Sequence, residues 1–159
     1  MENNLKRALQ RAACAVLEEL TFMLPSRDLD EAQRRAPFHM ACVVKFSGPV
    51  SGSLVLAIYG DLLPTIASNM LGDLDTPSEF QQMDALKELT NVICGNTLPY
   101  LIGEAAVYSI CAPSIIEEGA APAAEREVFS EQLEIGMDQG RANLRLCLCG
   151  ESQPLEPHT

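Results

Sequence analysis

Residues 78–102 carry apolar side chains at helical spacing, and this stretch limits the fold more than any other. Ser78 and Gln81 fit a capping box, in which the hydroxyl takes the third amide and the Gln side chain returns to the cap. Leu86, Leu89 and Ile93 then fall on one face. Asp84, Glu88, Asn91 and Gly95 fall on the opposite one, at i, i+4, i+7 and i+11. A helix divided this sharply needs a layer of structure beneath it and turns a specific polar strip away from that layer. Pro99 has no amide hydrogen, so it is expected to kink this helix or mark its effective end, with the pattern running to about Ile102.

The rest of the chain supplies the layer. Leu5, Leu9, Ala12, Ala13, Val16, Leu17 and Leu20 predict an amphipathic helix over residues 4–24, stopped by Pro25 and Ser26. Residues 26–36 are charged and irregular and read as a loop. Residues 39–46 and 50–59 read as two strands around the turn Ser47-Gly48-Pro49, an antiparallel hairpin. Gly60-Asp61 is expected to cap a short helix over 61–71 that ends at Gly72, followed by a polar linker over 73–77.

Beyond the central helix, residues 107–111 and 114–118 read as strand pieces interrupted by Pro113. A Gly, Ala and Pro loop spans 119–124. Residues 126–137 and 141–149 then form strands around Asp138-Gln139-Gly140, with Ala142, Leu144, Leu146 and Leu148 alternating with polar neighbours. The order is helix, two strands, two helices, three strands. That is an α+β chain with a mostly antiparallel sheet and helices packed on one side. A helix leading into a β-hairpin occurs twice, a weak internal repeat; Glu18 and Glu19 of the first helix have no Asn three residues on. We expect one domain over residues 1–150 and a disordered tail over 151–159.

Composition excludes several functions. Of 159 residues 47% are hydrophobic, enough for a sizeable core, with no Trp and 5% aromatic residues. A formal net charge of −11 argues against nucleic acid and anionic membranes as partners, because both select basic surfaces. No run of about 18 apolar residues marks a membrane span, and no secretory pattern opens the chain, so the expected compartment is the cytoplasm. The six cysteines form no CxxC pair and the two histidines lie far from any zinc spacing, so reduced, mostly buried thiols and no metal site are expected. Without a placed histidine, the Ser and Cys residues make no hydrolase triad. Asn96 lies off the polar strip and is expected toward the buried side as a structural hydrogen-bonding residue.

The spacing Asp84-x3-Glu88-x2-Asn91 resembles the signature of the CheC/CheX/FliY chemotaxis phosphatases, in which a proline follows twenty-odd residues later; Pro113 stands about there. Residues 50–56 (Val-Ser-Gly-Ser-Leu-Val-Leu), Met70-Leu71-Gly72, Gly95-Asn96 and residues 114–119 follow in the order seen in CheX-like proteins. One complete motif is also the CheX pattern. The likeness spans roughly residues 4–149. It departs from the family where Thr97-Leu98-Pro99-Tyr100 replaces the usual small residues after Gly-Asn.

The resemblance implies a protein substrate, the phosphorylated receiver domain of a CheY-like response regulator. The receiver supplies the divalent metal, expected to be magnesium, and a lysine, so the phosphatase needs no cofactor of its own. What it adds is a water held in line with phosphorus. Asn91 suits that role, since an amide accepts from water and donates to a phosphoryl oxygen. Glu88 would dock the receiver by pairing with its lysine. Gly95 would let the partner approach closely. Asp84 would add a polar contact or favour the helix N-terminal half electrostatically. CheX relatives are dimers with strands joined across the interface, so the resemblance also implies a homodimer. A non-catalytic adaptor of the same fold, binding a receiver or a flagellar-switch-like protein, is the alternative. A small-ligand-binding domain is a remoter one, with no phosphate loop or cofactor motif in its favour.

Overall fold

The computed structural model describes residues 2–72, 76–103, 107–118 and 127–149. The expected loop over 119–124, residues 73–75 of the linker, the domain boundary at 150 and the tail over 151–159 lie outside the described residues.

Ten elements follow in order: α1 (Glu2–Thr21), α2 (Glu31–Arg35), β1 (Phe38–Ser47), β2 (Gly52–Tyr59), α3 (Leu63–Leu71), α4 (Glu79–Ile102), β3 (Ser109–Ile110), β4 (Ser114–Ile116), β5 (Glu127–Met137) and β6 (Gly140–Cys149). Every strand pairing is antiparallel, in the order β3-β1-β2-β6-β5, with β4 beside β3 along the same edge of β1. The two hairpins, β1–β2 and β5–β6, are joined through their second strands, Gly52–Tyr59 against residues 141–148. This is the α+β architecture that the alternating patterns predict.

The core lies between one face of this sheet and α1, α3 and α4. Period-two alternation sends Cys42, Val44, Leu54, Leu56, Ile58, Ile135, Ala142 and Leu144 to that face, all essentially sealed from solvent. Leu9, Leu17, Leu63, Ile66, Leu86, Leu89 and Ile93 meet them from the helices. The predicted capping box is present at α4: Gln81 N donates to Ser78 Oγ (3.1 Å) and Ser78 N donates to Gln81 Oε1 (2.9 Å).

The chain departs from expectation in four places. Residues 31–35 are helical, not loop, because Asp30 and Gln33 form a second capping box. Arg141 then holds the end of this turn, donating to the carbonyls of Gln33 (2.8 Å), Arg34 (3.0 Å) and Ala36 (3.1 Å) while its guanidinium stacks on Tyr59. Asp61 does not cap α3. Leu62 occupies that position without a side-chain bond, and Pro64 in the first turn presets the helix. Pro99 does not mark the end of α4, which continues to Ile102, as far as the apolar pattern predicts.

The fourth departure is the end of α1, which stops at Thr21, ahead of Pro25. The Thr21 hydroxyl turns back to the Leu17 carbonyl and accepts from Met23 N (3.2 Å). Asn69 of α3 donates to the Thr21 carbonyl (2.6 Å). Phe22 then adopts φ 60°, the left-handed conformation that glycine favours after a helix. For a residue with a β-carbon this costs about 1–2 kcal/mol. Gly72 takes the same conformation after α3 at no such cost (φ 70°).

Leu89 belongs to the core cluster between the helices and the sheet and is 0% exposed. Leu89→Ala should lower unfolding free energy by about 2–5 kcal/mol in urea denaturation, and a loss below about 1 kcal/mol would mean that α4 is not seated as described.

Candidate functional site

Helix α4 is buried over an unusually broad arc. Ala85, Leu86, Leu89, Thr90, Ile93, Cys94, Thr97 and Leu98 are all inaccessible, because the sheet lies beneath the helix and α1 and α3 flank it. The two threonines fit this setting by donating to the helix itself, Thr90 to the Leu86 carbonyl and Thr97 to the Ile93 carbonyl (both 2.7 Å). Between Asp84 and Asn96 the exposed residues are Asp84, Glu88, Asn91, Gly95 and Asn96, while Glu79, Phe80 and Gln81 are exposed in the first turn and Tyr100 near the end.

The structure therefore brings the predicted strip together. Glu88 and Asn91 lie one turn apart on an unbroken helix and both face solvent. Neither has a hydrogen-bond or ion-pair partner among the described residues. Asp84, Lys87, Glu88, Asn91 and Pro113 line one shallow cleft. Pro113 reaches it because Ser114 pairs with Val43 and the preceding loop is tied down twice. Cys111 N donates to the Lys45 carbonyl (2.8 Å), and the Tyr108 hydroxyl donates to the Leu98 carbonyl of α4 (2.6 Å).

Asp84 lies past the first turn of α4, which Glu79 opens, so the helix dipole does little for it. Gly95 needs no explanation from packing. A β-carbon added there would meet no atom within 4 Å, and its φ is not in the left-handed range. Glycine inside a helix costs roughly 1 kcal/mol relative to alanine, so its bareness serves nothing within this chain.

Asn96 is not where the helical wheel predicts. It is exposed and, with Asp84, Ala85, Glu88 and Val92, forms one wall of a groove whose other wall is α1 and α3. Glu19, Leu20, Phe22, Met70 and Leu71 line that other side. The sequence pattern places Leu20 on the apolar face of α1 and Met70-Leu71 within the family likeness, but nothing in it brings them to one groove with Glu19 and Phe22. Phe22-Met23-Leu24 is a surplus of apolar residues at the helix end, and the helical pattern absorbed it.

Neither buried thiol behind the strip offers a nucleophile. Burial raises the Cys94 thiol to about 12. It raises that of Cys42 as well, against smaller opposing effects of Thr90 and Lys87. Thiolate is therefore scarce at both near neutral pH. Cys111, by contrast, is exposed and does not share the expected burial. Among the described residues no group of three His, Cys, Asp or Glu side chains is placed to hold a metal ion. None of the described helices is long and apolar enough to cross a membrane.

A carboxylate and an amide, unpaired and side by side on a rigid helix, suit recognition of a cation and orientation of a small polar molecule. Residues 40–131, which contain the whole strip and Pro113, match the family described as chemotaxis phosphatase CheX. The chain belongs to that family. Solved structures agree at the level of the fold. CheX from Vibrio vulnificus superposes with a TM-score of 0.70 at 15% identity, over 91% of this chain and 95% of that one. CheX from Desulfovibrio desulfuricans gives 0.69 at 18% identity, over 91% and 98%. The Borrelia burgdorferi CheX solved in complex with CheY, BeF3 and magnesium gives 0.62 at 16% identity, over 90% and 96%. No curated protein sequence matches significantly.

Gly95→Ala tests whether the strip is free of internal packing. The variant should gain up to about 1 kcal/mol in unfolding free energy by chemical denaturation. A loss would show that some part of the chain does press on this position.

Proposed function

We propose that this CheX-family protein accelerates hydrolysis of the aspartyl phosphate on a CheY-like receiver domain in the cytoplasm. The observation that carries the reading is the joint exposure of Glu88 and Asn91 on one strip of α4, beside Pro113, within the region that matches the family. The Borrelia relative held with CheY supports a receiver as the partner.

The chemistry divides between two proteins. The receiver brings the acyl phosphate, its divalent metal and its lysine. Water attacks phosphorus in line, the phosphorus–oxygen bond to the aspartate breaks, and the carboxylate leaves with its electron pair. Asn91 holds that water through its carbonyl oxygen and steadies a phosphoryl oxygen through its amide. It takes no proton, so its contribution is orientation. Glu88 sits one turn earlier and pairs with the receiver's lysine, which fixes the register of docking. Gly95 leaves room for the partner's backbone, and Asp84 adds a second acidic contact.

The test is a panel of receivers from the same cell, phosphorylated with acetyl phosphate and magnesium and timed for loss of phosphate. The protein should shorten the phosphate lifetime of at least one of them. Asn91→Ala should slow the stimulated reaction by about 10²-fold, near 2.7 kcal/mol, with docking largely kept. Glu88→Lys should instead weaken docking. Unimpaired stimulation by Asn91→Ala would overturn the mechanism, and binding without any shortened lifetime would leave the adaptor reading in its place.

We also propose that two copies pair edge to edge through β5, which ends the sheet and has no further strand beside it among the described residues. Light scattering should give twice the mass of the chain; the single mass would reject the pairing.

A further inference from the structure

The groove between α1, α3 and α4 encloses about 650 Å³ and opens directly beside Glu88. Two features of its rim have no explanation within the chain. Phe22 is 73% exposed, so its ring contributes little to the core. It also stands at a left-handed position where glycine would serve the turn better. Thr21 and Asn69 hold the backbone of that turn in place, which sets where the exposed ring leaves the chain. Leu71, at the end of α3, is 52% exposed and lines the same groove. Exposed apolar side chains gathered on one groove mark a docking surface.

The occupant follows from charge and continuity. The charged residues lining the groove are Glu19, Asp84 and Glu88, all acidic, with no basic residue among them. Asp84 and Glu88 also line the cleft of Asn91 and Pro113, so the two concavities share a wall. A protein seated over Glu88 and Asn91 covers the groove as well.

We propose that this groove is a second docking point for the same receiver domain. It takes an apolar side chain flanked by a lysine or arginine on the receiver surface next to the phosphorylated pocket. Phe22 and Leu71 grip the apolar group, and Glu19 faces the cation. This inference rests on the receiver-phosphatase reading above and adds to it where the affinity comes from. Phe22 is then a positioning residue that acts on binding and not on the water.

Phe22→Gly separates docking from folding. The variant removes the ring and relieves the backbone, so its thermal midpoint should match or exceed that of the wild type. With the receiver found to respond in the panel, its KM should rise by about tenfold while kcat stays within about twofold. Phe22→Leu should recover part of the affinity, and Glu19→Lys should raise KM without changing kcat. An unchanged KM for Phe22→Gly overturns the proposal. So does a fall in thermal midpoint alongside kcat, which would make Phe22 a structural residue. A changed mass by light scattering would also overturn it, by giving the groove to a second copy of the chain. If the wild type shortens no phosphate lifetime, the functional reading itself fails, and that result is read before any Phe22 variant is made.

Discussion

Everything presented to a partner depends on how much of α4 is buried. The helix lies on the inner face of β1 and β2 and is flanked by α1 and α3, so most of its circumference is sealed. A helix packed on one side only would show a wide polar face and let a partner choose among many side chains. Here the neighbours leave open the strip from Asp84 to Gly95 with Asn96 beside it, and the side chains on it are fixed relative to each other by the helix itself. Buried rotamers such as those of Leu86, Leu89 and Ile93 prevent rolling, so Glu88 and Asn91 are held at one angle to the outside.

The sequence revealed those parts of the molecule that are decided locally. The Ser78–Gln81 box, the apolar triad of α4, the two hairpins and the polar strip all follow from nearest-neighbour chemistry and periodicity. Where distant segments decide, the reading failed. The Asp30–Gln33 box has the same form as Ser78–Gln81, but the helix ends after Arg34 and Arg35, too soon for an apolar period to reveal it. Its end is held by Arg141, more than a hundred positions away. Thr21 ends α1 with help from Asn69, so a pattern that still looked helpful to a helix at residues 22–24 was overruled by a tertiary bond. Asn96 sits at a helical angle close to that of Leu89, yet it is open to solvent. A wheel gives angles and not the extent of the neighbouring elements.

The candidate site was legible for a related reason. Asp84, Glu88, Asn91 and Gly95 share a strip by helical geometry alone, so their grouping needed no knowledge of the tertiary structure. Pro113 and the groove lined by Phe22 and Leu71 are different. They come to α4 through strand pairing with β1 and through the packing of α1 and α3; Pro113 is singled out only by the family resemblance, and nothing in the sequence points to the groove. The acidic charge of the chain belongs to the same picture: carboxylates predominate along this surface, which favours cationic partners and disfavours nucleic acid.

The two margins of the sheet are unequal. Beside β1 the margin is broken into β3 and β4, two and three residues long. On the other margin, β5 is stitched at its far end, where Ser26 and Gly136 exchange both backbone hydrogen bonds (2.8 and 2.7 Å). Open-ended stacking of sheets into a fibre requires two long margins that fit each other head to tail. Among the described residues there is one, already shortened. Any union through it consumes that margin on both molecules, so growth stops at the first encounter and an exposed strand does not lead to a polymer.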